Sequence, residues 1–223
     1  MGFKVYNIIF IGFLMFFCMQ IQAQEKVNKF DLNGKRHGVW KKQYSNNNIR
    51  YEGTFESGKE IGVFKYYDIT DSTHPTIIKT FKTNSNVATV KFYTIKGILE
   101  STGEMIGKNR IGNWQYYYPD EKTLMIEENY ENGFLNGAYK SYYKTGKISE
   151  ILNYKAGKLH GTAKRFADNG VLLDDINYNN GKLEGSAKYY NLYGKLIYAG
   201  NYKNYEKIGE WEYYDNGEKE NRP

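Results

Sequence analysis

Cysteine and proline are scarce in this sequence, and the scarcity of cysteine excludes several classes of structure. The 223 residues contain one Cys and three Pro. Because Cys18 lies in the amino-terminal segment discussed below, the rest of the chain has no thiol for a disulfide, a cysteine-based zinc site or a nucleophile. We therefore expect a fold without covalent or metal crosslinks and without a cofactor.

Histidine is equally rare, which leaves little material for catalysis. His37, His74 and His160 are far apart in the sequence, and a metal or catalytic site needs ligands within a few ångströms. Adjacent acids such as Asp174-Asp175 would point to opposite faces of a strand. No phosphate-binding glycine motif occurs either. These observations predict a protein that is not an enzyme and has no metal site.

Charge of one sign is not in large excess. The formal net charge of +6 results from 31 basic and 25 acidic residues that are mixed along the chain. Such mixing is typical of a solubilised surface and does not favour nucleic acid as a partner. By contrast, 23 Tyr, 12 Phe and 23 Gly are present, a combination that favours short strands and tight turns over helices.

The amino terminus resembles an export signal. Lys4 precedes an apolar run at residues 8–19, which is shorter than the roughly 20 residues that a membrane-spanning helix needs. We predict a signal peptide at residues 1–23, an amino-terminal lead-in at 24–33, a repeat domain at 34–219 and a tail at 220–223. An uncleaved anchor is the alternative, because Ile21 interrupts the small-residue cleavage pattern. Export would place the protein in the periplasm, in the outer envelope or outside the cell.

Most of the chain is a repeat of about 24 residues. Eight units begin at Gly34, Gly58, Asn84, Lys108, Gly133, Gly157, Gly181 and Tyr205, the last one partial. With each start counted as zero, position four is glycine in seven units, at Gly38, Gly62, Gly112, Gly137, Gly161, Gly185 and Gly209, and Ala88 in the third. Aromatic or apolar residues occupy position six and the third residue before the next start, and position nine is aromatic in seven of the eight units, with Gln43 as the exception. We predict one continuous array.

Each unit has room for two strands and two turns. Asn-Gly pairs at 33–34, 132–133, 136–137, 169–170, 180–181 and 216–217 favour type I′ hairpins, and we expect the position-four glycines at turns. The extra residues near 71–75 and 119–122 fall at the distal turns, where insertions are tolerated. Positions six and nine differ by an odd number. Either both sheet faces carry aromatic residues, or a bulge realigns them.

The segment from Tyr130 to Tyr142, with Asn132-Gly133 and Gly137 at its turns, resembles the MORN repeat. The similarity is closest to the bacterial variant found in YwqK-like antitoxin proteins, and it covers about residues 30–219. It implies antiparallel hairpins laid side by side in an elongated sheet. Lys108 and Tyr205 depart from the usual starting glycine. Ala163 and Ala187 depart from the usual large aromatic residue, which makes those units weaker candidates for an aromatic surface.

The expected function is therefore binding. We predict an extended aromatic-rich surface for protein–protein interaction, with Trp40, Phe64, Trp114, Tyr139 and Trp211 as the candidate contact residues. The resemblance implies an antitoxin-like role, so the partner could be a toxin or an envelope component. The alternative is carbohydrate or cell-envelope binding through exposed Trp and Tyr rings, and contact with a membrane surface is a further option.

Overall fold

The structure of the chain is a computed structural model that describes residues 27–220, a segment of strands and short turns. The predicted signal peptide at residues 1–23 and residues 221–223 of the predicted tail lie outside this range. Nineteen strands occur in the described range. They are β1 (Lys29–Phe30), β2 (Arg36–Gln43), β3 (Ile49–Glu56), β4 (Lys59–Tyr67), β5 (Pro75–Phe81), β6 (Val87–Tyr93), β7 (Leu99–Ile106), β8 (Asn109–Tyr117), β9 (Leu124–Glu131), β10 (Phe134–Leu135), β11 (Gly137–Tyr142), β12 (Ile148–Lys155), β13 (Lys158–Leu159), β14 (Gly161–Phe166), β15 (Leu172–Asn179), β16 (Lys182–Tyr190), β17 (Leu196–Lys203), β18 (Glu206–Asp215) and β19 (Glu218–Lys219).

The strands form a single antiparallel meander. Each long strand pairs with the next long strand along the chain, so the eight predicted units are eight consecutive hairpins in one open sheet. The first strand of two units is divided: β10 and β11 both pair with β9, and β13 and β14 both pair with β12. The prediction of an all-β array of hairpins is confirmed. No helix long and apolar enough to cross a membrane is found between residues 27 and 220.

Two-residue turns join neighbouring units, and another closes the hairpin of the eighth unit. Six of them have both central residues at positive φ, as a type I′ turn requires. They are Ser57-Gly58, Asn132-Gly133, Ala156-Gly157, Asn180-Gly181, Asn204-Tyr205 and Asn216-Gly217. The type I′ prediction is therefore right for three of the six Asn-Gly pairs. It is wrong for 33–34 and 169–170, which lie in longer turns, and for 136–137, where Asn136 separates β10 from β11.

The position-four glycines are bulge residues, which corrects their assignment to turns. All seven have positive φ, between 62° and 101°, but they lie within or at the start of the first strand of their unit. Around Gly62 the register passes from Thr54↔Ile61 to Glu52↔Lys65, so three residues of β4 face Gly53 alone. Because the extra residues must be accommodated locally, the backbone takes a conformation that side chains with a Cβ rarely adopt.

Both faces of the sheet carry aromatic residues, which settles the alternative left open by the sequence. Phe64 at position six packs beside Tyr66, with ring centres 6.1 Å apart. Tyr67 at position nine points the other way and donates a hydrogen bond to Glu52 Oε1 at 2.7 Å. We call the side of Phe64 the aromatic face and the side of Tyr67 the lysine face.

The core lies on the aromatic face, where one sheet must bury its side chains without a second layer. Trp40, Phe55 and Phe64 form one buried cluster, and Ala88, Val90 and Trp114 form another. Phe81 packs against both clusters and joins them. Several rings meet edge to face, as for Phe55 and Phe64 at 5.0 Å, a favourable geometry for aromatic pairs.

Side-chain size alternates across this core. From the second unit on, each position-six residue lies beside the residue 11 places earlier, on the preceding strand, and five of these seven pairs combine a smaller residue with a larger one. Trp114 lies against Gly103, and Ala163 faces the larger Leu152. The full series of pairs is Gly53/Phe64, Lys79/Val90, Gly103/Trp114, Glu128/Tyr139, Leu152/Ala163, Ile176/Ala187 and Gly200/Trp211. The alanines that depart from the usual repeat pattern therefore fit their larger neighbours.

Tyrosine hydroxyls tie neighbouring units together at the distal turns. Tyr118 donates to the carbonyl of Tyr142 at 2.8 Å, and Tyr143 donates to the carbonyl of Phe166 at 2.7 Å. The two partners are one repeat apart in each case. Since a single hairpin is marginally stable in water, such contacts make each unit depend on its neighbours.

Candidate functional site

A straight row of side chains crosses the aromatic face, one residue from each long strand. The register of each strand pair sets this cross-strand row. From the first unit to the last it reads Lys42, Tyr51, Tyr66, Ile77, Phe92, Ser101, Tyr116, Ile126, Ser141, Glu150, Arg165, Asp174, Tyr189, Tyr198 and Tyr213. Most of the row is aromatic or aliphatic. Its middle is polar.

Glu150, Arg165 and Asp174 form this polar break, on three neighbouring long strands. Arg165 makes an ion pair with Asp174, whose side chain is 14% exposed. Glu150 lies on the other side of Arg165 and makes no hydrogen bond or ion pair within the described part of the chain. Burial raises the pKa of the Glu150 carboxyl, and the charge of Arg165 opposes that shift. The break therefore has one half-buried carboxylate whose charge Arg165 offsets only in part.

Two clefts border the cross-strand row. The larger has a volume of about 440 Å³ and lies between the third and fourth units, lined mainly by apolar side chains. Those used below are Phe92, Ile98, Leu99 and Met125. The smaller, of about 250 Å³, is formed by the polar break together with Leu152, Ala163 and Tyr178. An apolar cleft and a charged one thus border the same row of side chains.

The predicted contact residues are core residues at three of five positions. Trp114 and Phe64 have no exposed area, and Trp40 is 7% exposed. An arginine or lysine four residues earlier also covers each tryptophan: Arg36 lies 5.1 Å from the ring centre of Trp40, Arg110 lies 4.5 Å from Trp114, and Lys207 lies 4.1 Å from Trp211. The prediction that Trp40, Phe64 and Trp114 form an exposed contact surface is wrong. All three rings pack against a glycine, Gly53 or Gly103, on a neighbouring strand. Arg36 and Arg110 also cover the two tryptophans. Tyr139 and Trp211 are half-buried.

Arg110 also organises a hydrogen-bond network in the fourth unit. Its guanidinium donates to the hydroxyl of Tyr116 at 2.6 Å and to that of Tyr130 at 3.2 Å. Both tyrosines in turn donate to Glu128 Oε2, at 2.7 Å and 2.8 Å. Burial, followed by the hydrogen bond to Glu128, raises the pKa of Tyr116. A cation held among rings and a carboxylate is therefore part of this face.

Comparison with known families now adds to this geometry. The sequence profile of the MORN repeat variant matches residues 36–57, 135–156 and 159–180. The chain therefore carries MORN repeats of this variant type at three places. The matched segments fall in the first, fifth and sixth units of the array. No curated protein matches the chain at a significant level.

The lysine face of the array has a regularity that the sequence prediction missed. Position seven is lysine in six of the eight units, and its register partners lie across the same face. The lysines are Lys41, Lys65, Lys91, Lys140, Lys164 and Lys188. Glu52 lies 3.9 Å from Lys41 and 3.7 Å from Lys65, and Asp175 lies 3.6 Å from Lys164. A count of residue types at position seven would have found this column.

Adjacent acids of the MORN units do face opposite sides, as predicted. Glu127 accepts a hydrogen bond from Tyr142 on the lysine face, whereas Glu128 accepts its bonds on the aromatic face. Asp174 pairs with Arg165 and Asp175 with Lys164. Within residues 27–220 no group of three or more His, Cys, Asp or Glu residues could hold a metal ion. His160 Nδ1 accepts a weak hydrogen bond from the Asn180 amide at 3.4 Å, beside a turn.

Proposed function

We propose that this protein is a non-catalytic binding protein whose aromatic face engages a protein partner. The observation that carries the proposal is the cross-strand row, which combines an apolar cleft with a half-buried carboxylate that is only partly neutralised. Protein interfaces typically join a desolvated apolar centre to a few polar groups that fix orientation. The repeat supports the same interpretation, since solenoid-like arrays offer extended surfaces for binding.

The lysine face is the weaker candidate for the surface that binds the protein partner. Three of its six repeated lysines lie within 4 Å of an acidic side chain, so part of its charge is internally neutralised. Alternating charged residues on an exposed sheet face also keep such a sheet soluble. The repeated lysines of this face support contact with a membrane surface as an alternative to binding a protein.

The partner's compartment follows from the proposed leader. If residues 1–23 direct export, the partner belongs to the periplasm, the outer envelope or the outside of the cell. The resemblance to YwqK-like proteins makes a toxin in that compartment the first partner class to test, and an envelope component the second.

Carbohydrate binding through the tryptophans has less support than protein binding. Sugar-binding platforms need an exposed ring face, and Trp40 and Trp114 are buried. The best remaining aromatic platform is the stacked pair Tyr189 and Tyr198, with ring centres 4.4 Å apart.

Site-specific photo-crosslinking in the native cell tests the proposal. A photoreactive residue replaces Tyr198 on the aromatic face in one variant and Lys188 on the lysine face in the other. These positions lie on paired strands, which makes them closely matched. We expect a discrete protein adduct from position 198 and none from position 188. The reverse pattern, or adducts to glycan alone, would overturn the proposal.

A further inference from the structure

The aromatic face accepts cations at defined places, and the chain itself supplies three of them. Arg36, Arg110 and Lys207 each lie over a tryptophan and occupy position two of their units. In the fifth, sixth and seventh units position two is leucine, at Leu135, Leu159 and Leu183. No cation of the described chain therefore lies over the rings of Tyr139, Tyr154 and Tyr178 in this part of the face.

Glu150 and Asp174 lie in the fifth and sixth units, which lack these internal cations. Glu150 and Asp174 contribute two negative charges to the polar break and Arg165 one positive charge, which leaves one negative charge in excess. Arg165 contacts Asp174 directly and acts on Glu150 only through its charge, so Glu150 is the less neutralised of the two carboxylates. The charges of both Glu128 and Glu150 add to the rise in pKa of Tyr154, although burial is its largest cause. In a protein of net charge +6, this is a local site of opposite sign.

A carboxylate that is partly desolvated and only partly neutralised gains most from a charged donor. A buried charge without a partner costs free energy, and a charge-assisted hydrogen bond recovers part of it. Cations over aromatic rings gain further attraction from the ring electrons. Glu150, together with the ring of Tyr154 or Tyr178, offers both kinds of contact.

The apolar cleft lies at a fixed distance from this carboxylate. Tyr116 on β8 borders the cleft, and Glu150 lies three long strands further along the same row, on β12. Since paired strands are about 4.8 Å apart, Tyr116 at the edge of the cleft lies about 14 Å from Glu150 across the sheet. A partner that fills both places needs an apolar side chain and a basic side chain at that spacing.

We propose that the aromatic face binds a protein segment that places a Lys or Arg side chain on Glu150 and an apolar side chain in the cleft lined by Phe92, Ile98, Leu99 and Met125. This inference rests on the proposed function and specifies the chemistry of its partner. The partner's basic side chain would lie among a carboxylate and aromatic rings, as Arg110 of this chain does in the fourth unit.

Two variants test the carboxylate, and the second of them also removes the hydrogen bond between the Ser141 and Ser149 hydroxyls. Glu150→Gln removes the charge from a side chain that has no hydrogen bond to lose in the described structure. Ser141→Arg introduces an internal cation, because Ser141 is the register partner of Glu150 on β11. The matched controls are Asp175→Asn and Lys140→Glu, which alter charge on the lysine face beside the same elements.

Selection from a random peptide library displayed on phage, against the purified protein, supplies the probe. We expect the selected peptides to share a basic residue and an apolar residue. Glu150→Gln should weaken their binding about tenfold, as expected for loss of one charge-assisted contact, and Ser141→Arg should weaken it at least as much. Asp175→Asn should leave the dissociation constant unchanged.

The failures of the two proposals are distinguishable. Peptides that bind equally well to Glu150→Gln, Ser141→Arg and the unmodified protein, but are insensitive to Lys140→Glu, would overturn the cation inference and leave the aromatic face as a binding surface. Peptides lost only with Lys140→Glu, or a selection that yields no binder, would contradict both.

Discussion

The guanidinium of Arg110 lies 4.5 Å from the ring centre of Trp114, and the same indole packs against the backbone of Gly103 on the neighbouring strand. The indole Nε1 donates to the carbonyl of Glu104 at 3.1 Å. Every part of this side chain therefore has a protein partner, which explains why it has no exposed area. A tryptophan in this position organises the sheet and is not free to bind a ligand.

Replacing Arg110 with leucine tests the contribution of the covering cation. Leucine is the natural residue at this position in three other units, so the change is compatible with the fold. We expect the free energy of unfolding in urea to fall by about 1–2 kcal/mol, because a desolvated cation–π contact and two hydrogen bonds are lost. Arg50→Leu is the control, since Arg50 is exposed, lies 5.8 Å from the ring centre of Tyr44, and should cost less. Equal losses in the two variants would refute this role for Arg110.

Size complementarity in the core predicts a strong coupling between Gly103 and Trp114. A Cβ at position 103 would lie 2.3 Å from the indole Cδ2, so Gly103→Leu alone should destabilise the protein by roughly 3 kcal/mol or more. Trp114→Ala alone leaves a cavity of similar cost, roughly 3–5 kcal/mol. Together they recreate the Leu152/Ala163 arrangement. We expect the double variant to be more stable than the sum of the single changes predicts, by at least about 1 kcal/mol in a double-mutant cycle. Simple additivity would show that the pair is not complementary.

Backbone conformation gives a prediction with opposite signs at two nearby positions. Gly161 has a φ of 89°, and Gly161→Val should destabilise its own hairpin and the adjacent ones by about 1–2 kcal/mol or more.

Ala156 has a φ of 49° in a two-residue turn, where asparagine is tolerated better, so Ala156→Asn should stabilise the protein by a few tenths of a kcal/mol to about 1 kcal/mol. Thermal unfolding followed by circular dichroism measures both. An unchanged melting temperature for Gly161→Val would contradict the bulge assignment.

The tyrosines of the lysine face predict a loss of stability at high pH. Burial and the hydrogen bond to Glu52 raise the pKa of Tyr67 to about 12, above its ordinary value of about 10. The folded state therefore holds this proton more tightly than the unfolded chain, and stability falls as the pH rises from about 10 to about 12. In Tyr67→Phe the fall over this interval should be smaller. Tyr193→Phe, at a tyrosine that is 87% exposed, should behave like the unmodified protein. If Tyr193→Phe changed the alkaline transition as much as Tyr67→Phe, the assignment would fail.

The repeat was readable from the sequence because each unit copies the same turn and strand chemistry. Hairpin order, the distal position of the insertions near 71–75 and 119–122, and the division of Asp174 and Asp175 between faces all follow from local rules. The bulge at Gly62 did not follow, because a glycine with positive φ serves a turn and a bulge equally well. The cross-strand row was also hidden, since it depends on the register shifts at each bulge. Trp114 was misassigned because its burial depends on Gly103, a residue in the preceding unit.

Isoleucine methyl groups offer the most direct test of which face binds the partner. Ile77 and Ile126 lie on the cross-strand row of the aromatic face, whereas Ile78 and Ile151 lie on the lysine face, each at a known register. In methyl NMR spectra of the protein titrated with the selected peptide or the crosslinked partner, we predict that the signals of Ile77 and Ile126 shift and those of Ile78 and Ile151 stay in place. Shifts confined to Ile78 and Ile151 would contradict the account.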